Sequence, residues 1–560
     1  MPERPAAPPP RLVPAGDAAL LVVLGEAIDP RLNARVHALA RALDGQPGLT
    51  DLAPAYASLL VTYDPAALDY AEVEARARAA LAALPARPAL AGRRRDVPVA
   101  YGGEHGPDLP AVAQRLGMTQ AEVVRLHAEG RYRVYMIGFA PGYSYLGELP
   151  ARLELPRLST PREHVPAGSV AIAGRQTGVY SVATPGGWHL LGRTPVRLFD
   201  PEREPPCYLA PGDRVRFVPI SAAAFAEQAA QENSAPPPAA EDAAGGVEVL
   251  APGLLTTVQD LGRTGYARYG VPAAGAMDPF AARAANRLVG NADDAPVLEC
   301  TLAGPTLRFP ASGALMAVTG ADLSPRLDGQ ELPGWTACAA APGATLKFAK
   351  RQAGLRAYLA VAGGFRVRPV LGSAATYLRG PFGGHLGRAL QAGDRLPLGA
   401  EDDRARLAGH KLPPAARPAY SREPIVRVVL GPHAERFTAD ALDALLGAAY
   451  TVGPASDRMG YRLQGPPLPR HEPADILSQG MPLGGVQVPG DGQPIILLAD
   501  HQTTGGYPLI ATIIRADLPL VAQLAPGDRL RFRAVSVAEA QAAYCQQLAA
   551  LAALSPAGAG

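Results

Sequence analysis

Three times this chain writes a Gly-Asp turn and follows it with a strand. Residues 209–217 read Leu-Ala-Pro-Gly-Asp-Arg-Val-Arg-Phe and residues 524–532 read Leu-Ala-Pro-Gly-Asp-Arg-Leu-Arg-Phe, with a shorter copy, Ala392-Gly393-Asp394-Arg395-Leu396, between them. Pro pre-sets a bend, Gly permits positive φ, and alternating apolar residues after the turn define a half-buried strand. A chain closed the same way three times is built from one β module used repeatedly, with modules ending near residues 213, 394 and 528. A second phrase also recurs. Gly174-Arg175-Gln176-Thr177-Gly178-Val179-Tyr180 loosely matches Asp500-His501-Gln502-Thr503-Thr504-Gly505-Gly506-Tyr507, and an apolar stretch leads each copy (170–173 and 495–499). The Gln-Thr pair either contacts a ligand or satisfies backbone groups at a strand end; local chemistry leaves both readings open.

The 60 glycines and 59 prolines among 560 residues favour short strands and turns over long helices, and 48% hydrophobic residues supply a sizeable core. A net charge of +2 offers no basic field for nucleic acid or an anionic membrane. Cys207, Cys300, Cys338 and Cys545 are dispersed, without metal-ligand spacing, so a reduced, cytoplasmic chain with no metal is expected. No signal peptide or membrane-length apolar run is visible.

Residues 11–92 alternate strand and helix, which predicts a small α+β domain of split β-α-β type. Thr119-Gln120-Ala121-Glu122 predicts a capping box. Strands dominate residues 93–232, a Pro/Ala/Gly-rich linker spans 233–246, and strand-rich modules follow at 247–400 and 423–535, ending in an Ala-rich helix. The fold class expected is therefore mainly β with α+β, divided at the linker into two halves.

Three segments of the first half can carry chemistry. Residues 138–147 form a Gly/Pro-rich loop with aromatics, either a pocket lip or a loop packing two tyrosines on the core. His164 and Arg162 offer an imidazole and a cation beside the Gln176 strand, and Gly186-Gly187-Trp188 precedes Arg193, a fork donor suited to carboxylate or phosphate. In the second half Asp260 and Arg263 flank Gly262, and Asp457-Arg458 precedes Met459-Gly460-Tyr461. Asp278 before Pro279 reads as a helix N-cap, while Asn286 and Glu299 are polar residues in apolar surroundings that need partners or a function. The chain has no P-loop, no Gly-x-Ser-x-Gly, no His-Glu-x-x-His, and none of its three lysines (Lys347, Lys350, Lys411) has the flanks of a biotin-attachment site.

Residues 138–146, 161–180 and 184–195 together resemble the B component of 5-oxoprolinase (allophanate hydrolase subunit 1, the Kip inhibitor of a sporulation histidine kinase). Residues 257–266, 275–291, 456–463 and 484–507 resemble the C component of 5-oxoprolinase, the Kip antagonist. The same pair forms the carboxyltransferase region of urea carboxylase. The resemblance covers nearly the whole chain and implies a B–C fusion with three cyclophilin-like β-barrels behind the small α+β domain. It implies ATP-dependent opening of 5-oxo-L-proline to L-glutamate, with ATP and Mg2+ and the separate A component of 5-oxoprolinase as partner. The alternatives are carboxyl transfer to urea or a related amide, with biotin supplied by another chain, and a non-enzymatic histidine-kinase regulator; a homo-oligomer is compatible with each. Carried over by motif position, His164, Asp260 and Asp457 are the expected catalytic residues. Gln176, Thr177, Gly186, Gly187, Trp188, Arg193, Arg263, Arg458, Gln502 and Thr503 are the expected substrate or nucleotide contacts, and His501 stands where the resemblance implies an Arg.

Overall fold

Each Gly-Asp turn has the same construction in the computed structural model, which describes residues 9–160, 162–232, 246–400, 404–552 and 554. Gly212, Gly393 and Gly527 all take φ near 90° (94°, 91° and 89°), a conformation that excludes side chains. The aspartate after each glycine then accepts from the backbone N–H three residues back: Ala210 to Asp213 at 3.0 Å, Gln391 to Asp394 at 2.7 Å, Ala525 to Asp528 at 2.9 Å. An arginine from elsewhere completes each turn: Arg93 on Asp213, Arg388 on Asp394, Arg351 on Asp528. The strands that follow the outer two turns, Arg214–Ile220 and Arg529–Ala534, bury Val215 and Phe217, and Leu530 and Phe532.

Both of those strands close a seven-stranded barrel. Arg214–Ile220 pairs parallel with Arg94–Tyr101 and antiparallel with Tyr132–Ile137. Arg529–Ala534 pairs parallel with Ile425–Leu430 and antiparallel with Ala449–Val452. Followed around each barrel, the strands occur in one common order, and each barrel carries a two-stranded ribbon outside it: Arg162–Val165 with Thr184–Gly186, and Gln479–Gly480 with Thr504–Gly505. The shared order corrects the pairing of the Gln-Thr phrases. Gln176–Val179 occupies the place of Ile495–Leu497, whereas Gln502 follows that strand and leads into the ribbon. Similar letters over a few residues gave a register that the ladder does not have.

The middle module differs from the closed barrel expected there. A six-stranded and a five-stranded sheet face each other across a core of Val249, Leu307, Leu346 and Leu396 from one and Leu298, Met316, Val318 and Leu359 from the other. Helix Pro279–Leu288 covers the outer face of the five-stranded sheet. Asp278 caps it as expected, accepting from Ala281 N–H at 2.9 Å, and Asn286 is satisfied by the carbonyls of Asp293 and Ala295. The expected capping box at Thr119 and Glu122 is also present.

The N-terminal domain has four antiparallel strands, Arg11–Pro14, Ala19–Val23, Leu49–Pro54 and Ser58–Tyr63, and helices Pro30–Leu43 and Tyr70–Ala83. Apart from Gly246, the expected linker lies outside the described residues. The halves it separates in sequence are packed together. Val271, Tyr377 and Phe382 of the second half belong to the core of the first barrel. Gly142 N–H donates to Tyr269 O at 2.8 Å, Arg268 pairs with Asp44, and the terminal helix Val537–Ala552 folds back so that Gln541 reaches Asp17 and Tyr63. No described helix is long and apolar enough to cross a membrane.

Asp51 sits in this interface and accepts from Leu52, Gly265 and Ala267 N–H. Burial pushes its carboxyl up from 3.8 to about 6, against the pull of those three donors. The native protein therefore holds the proton more tightly than the unfolded chain. The stability this adds is fully present below the unfolded value and is lost as pH rises through about 6. Wild type should accordingly gain stability over Asp51→Asn as pH falls from about 7 to about 5, measured by denaturant titration of both. A difference independent of pH would show that Asp51 does not titrate there.

Candidate functional site

The tip of the Leu49–Pro54/Ser58–Tyr63 hairpin is buried, which is unusual for a hairpin tip, since loops normally stay at the surface where water satisfies their backbone. Here Asn33 supplies the missing donors, giving its amide to the carbonyls of Ala55 (3.0 Å) and Tyr56 (3.3 Å). Tyr56 thereby packs on the outer face of the first barrel, its ring 5.5 Å from Tyr135 and 5.9 Å from Tyr145. Tyr143 links this pair edge-on to Tyr180 and Trp188. The last barrel reaches the same cluster: Ser478 and Thr504 lie against the Tyr145 hydroxyl and offset the upward push of burial on it, and Thr504 leaves no room for a Cβ at Gly138. Three modules thus meet at a wall of tyrosine hydroxyls. Gln176, half-buried at the start of its strand, gives its amide N–H to Tyr56 at 2.7 Å.

A second polar cluster lies along the same Asp500–Thr504 segment. Arg458, 5% exposed, holds Asp500 through two bonds (2.9 and 3.0 Å), Glu299 at 2.5 Å and the Gly275 carbonyl at 2.7 Å. Glu299 also accepts from Met277 N–H and Tyr358, and Arg356 stands 3.8 Å away. Burial alone would weaken the charge on each, but Asp500 and Glu299 hold the Arg458 pKa up, and Arg458 and Arg356 hold Glu299 down. Arg263, 1% exposed, gives one bond to Ala375 O at 2.5 Å and stacks over Phe382, while its Nε and Nη1 have no hydrogen-bond partner among the described residues. Burial pulls it down to about 10, with Asp260 and Asp500 acting against that.

The remaining expected site residues are dispersed over both halves. Thr177 points into the first barrel, where its hydroxyl meets His127 at 2.9 Å, and burial lowers that histidine to about 3. Gly186 makes room for Tyr180, whose hydroxyl would lie 2.3 Å from a Cβ there, so its neighbour is a side chain. The Gly187 carbonyl accepts from Leu158 N–H, and Trp188 is a core residue at 5% exposure. Arg193 gives Nε to Ala167 O at 2.7 Å and leans on Phe225. Asp260 braces a buried turn through Gly262 N–H, Ser373 and Ala374 N–H. Asp457 is exposed and paired with Arg379, and His164 is exposed on the ribbon. These three expected catalytic residues share no hydrogen bond or ion pair. Gln502 meets Gln487 at 3.4 Å, Thr503 is buried with an unpaired hydroxyl, and His501 is buried with Nδ1 on Gln502 O. Among the described residues no group of His, Cys, Asp and Glu could hold a metal ion.

Comparison with known proteins bears on both halves. Residues 10–209 match the family model "Carboxyltransferase domain, subdomain C and D", and residues 269–534 match "Carboxyltransferase domain, subdomain A and B". The chain is 42% identical to the C component of 5-oxoprolinase from Escherichia coli (strain K12) over 54% of its own length and 97% of that protein's. It is 43% identical to the B component of 5-oxoprolinase from Bacillus subtilis (strain 168) over 37% of its length and 91% of that protein's. The chain belongs to the carboxyltransferase-domain family of the 5-oxoprolinase B and C components. It is a B-like half followed by a C-like half. A crystal structure of the protein TTHA0988 superposes on this B–C chain with TM-score 0.81 at 39% identity, covering 92% of this chain and 99% of that one. Urea amidolyase of Saccharomyces cerevisiae is 35% identical over 51% of this chain but only 16% of its own length. Tyr56 and Ser478 escape a reading by segments because each is far in sequence from what it meets: folding of the first half brings Tyr56 to Gln176, and packing of the second half on the first brings Ser478 to Tyr145.

Proposed function

We propose that this chain is the combined B–C component of an ATP-dependent 5-oxoprolinase, opening 5-oxo-L-proline to L-glutamate together with a separate A component. The observation that carries this reading is the near full-length match to both the B and the C component in one chain whose halves share a core. The junction suits the chemistry. A lactam presents an N–H donor and a carbonyl acceptor, and the Gln176 amide with the surrounding tyrosine, serine and threonine hydroxyls offers both complements. ATP is a co-substrate: phosphoryl transfer to the lactam oxygen supplies the driving force that opening an unstrained amide lacks. His164, exposed on the ribbon outside the barrel, is the group to move a proton.

The purified chain mixed with the A component, Mg-ATP and 5-oxoproline should release glutamate and ADP in equal amounts. Absence of glutamate under those conditions would refute the reading. Gln176→Ala should lower turnover at least about tenfold while leaving the melting temperature nearly unchanged, because Gln176 is only half-buried and holds one side-chain bond. Gln502→Ala, with one long bond to Gln487, is expected to follow it. Full activity in either variant would remove that glutamine from the site. The carboxyltransferase models favour a second reading, carboxyl transfer from a biotin carrier to an amide, which copurification of a biotinylated protein would support.

A further inference from the structure

Arg157 is held at the tyrosine wall by three backbone contacts that leave its side chain free. The segment carrying it is pinned at both ends: Gly174 N–H donates to Leu155 O at 2.6 Å, and Leu158 N–H donates to Gly187 O at 2.8 Å. Between them the Pro156 carbonyl meets His189 Nε2 at 2.9 Å. Arg157 therefore stands between the turn that leads into Gln176 and the strand end that precedes Trp188. It is exposed and forms no hydrogen bond or ion pair with any described residue. Two of its neighbours are committed, Arg162 to Asp108 and Arg193 to the Ala167 carbonyl, and Arg175 stands 3.7 Å from Glu148. A long cationic side chain on a tethered backbone has already lost part of the entropy that binding would cost. Its charge reaches the hydroxyls behind it, easing the burial-raised pKa of Tyr56, Tyr143, Tyr145 and Tyr180.

We propose that Arg157 is a specificity-determining residue that takes the carboxylate of a small amide-bearing acid whose amide group faces Gln176. The inference rests on the functional reading above and narrows it. A guanidinium fork selects a substrate with a carboxylate beside the amide and gives no advantage to a neutral amide such as urea. Two groups at the site then divide the work. Gln176 reads the amide, which many compounds share, and Arg157 reads the charge that separates an oxo-acid from the rest.

The test is equilibrium binding to the full chain by ligand-detected NMR, with 5-oxoproline and its decarboxylated counterpart 2-pyrrolidinone as probes. Wild type should bind 5-oxoproline at least about tenfold more tightly, the scale of one charge-assisted hydrogen bond. Arg157→Gln should lose that preference with 2-pyrrolidinone binding unchanged, and Arg157→Lys should recover part of it. Because the side chain is exposed and unpaired, both variants should melt with wild type. A wild type that binds the two probes equally, or binds neither, overturns the assignment, as does a preference kept by Arg157→Gln. Glutamate formation with the A component, measured alongside, separates the two claims. Turnover with an unchanged preference in Arg157→Gln refutes Arg157 alone. A preference that depends on Arg157 without any glutamate supports the carboxylate contact and refutes the reaction.

Discussion

Replacing Arg458 with alanine should destabilise the second half by about 3–5 kcal/mol, the cost of leaving a buried ion pair without one partner. The arginine is 5% exposed and is shared by Asp500 and Glu299, themselves 4% and 1% exposed. Its removal strands two carboxylates that water cannot reach. The pair comes from different modules, Glu299 from the middle one and Asp500 from the last barrel, so the loss should loosen their packing as well. Arg458→Lys keeps the charge but not the fork, and should fall between the two. Hydrogen exchange of the last-barrel strands against denaturant measures the effect, with a loss below about 1 kcal/mol in Arg458→Ala counting against a network that holds the modules together.

Chains severed within residues 233–246 should stay associated through purification, whereas the same severed pair carrying Gly270→Val should come apart. The halves share an apolar core through Val271, Tyr377 and Phe382, reinforced by Phe199 against Phe382 and by Arg268 on Asp44. Gly270 lies at the centre of that contact with φ +75°, and a Cβ there would stand 2.2 Å from the Ala140 carbonyl. A β-branched residue is both strained at that φ and blocked by backbone that cannot step aside. Gel filtration of the coexpressed halves decides it. Separation of the unmodified halves would mean that the covalent tie, and not the interface, keeps them together. Coelution of the Gly270→Val pair would mean that the contact is softer than its geometry.

The contrast between what the sequence discloses and what it hides follows from the range of the interactions. The Gly-Asp turns are legible because every determinant is local: a glycine at positive φ and an aspartate reaching back three residues. The capping box at Thr119 and the N-cap at Asp278 are legible for the same reason. The Gln-Thr repeat misleads because strand order is a non-local property, and a short likeness slipped the second copy past its strand and into the ribbon approach. The middle module carries the same closing turn as the barrels, yet its ladder opens into two sheets, which no turn specifies. Thr177 and Trp188 have the polarity and size of ligand contacts but are spent on His127 and on Tyr143. Tyr56 gives no signal at all: Ala55-Tyr56-Ala57 reads as an ordinary turn until Asn33, 23 residues away from Tyr56, is seen satisfying its carbonyl. Resemblance to the family identifies the two halves, and only the folded chain shows that Tyr145 of one meets Ser478 and Thr504 of the other.

That the substrate binds at this junction is the central claim, and a crystal structure of the chain with 5-oxoproline bound tests it most directly. The ligand should lie beside Gln176, between the Tyr145 side of the first barrel and the Thr504 ribbon of the last, with its carboxylate toward Arg157. Density for the ligand within the middle module, or at a surface that only one half contributes, would contradict a site built from both.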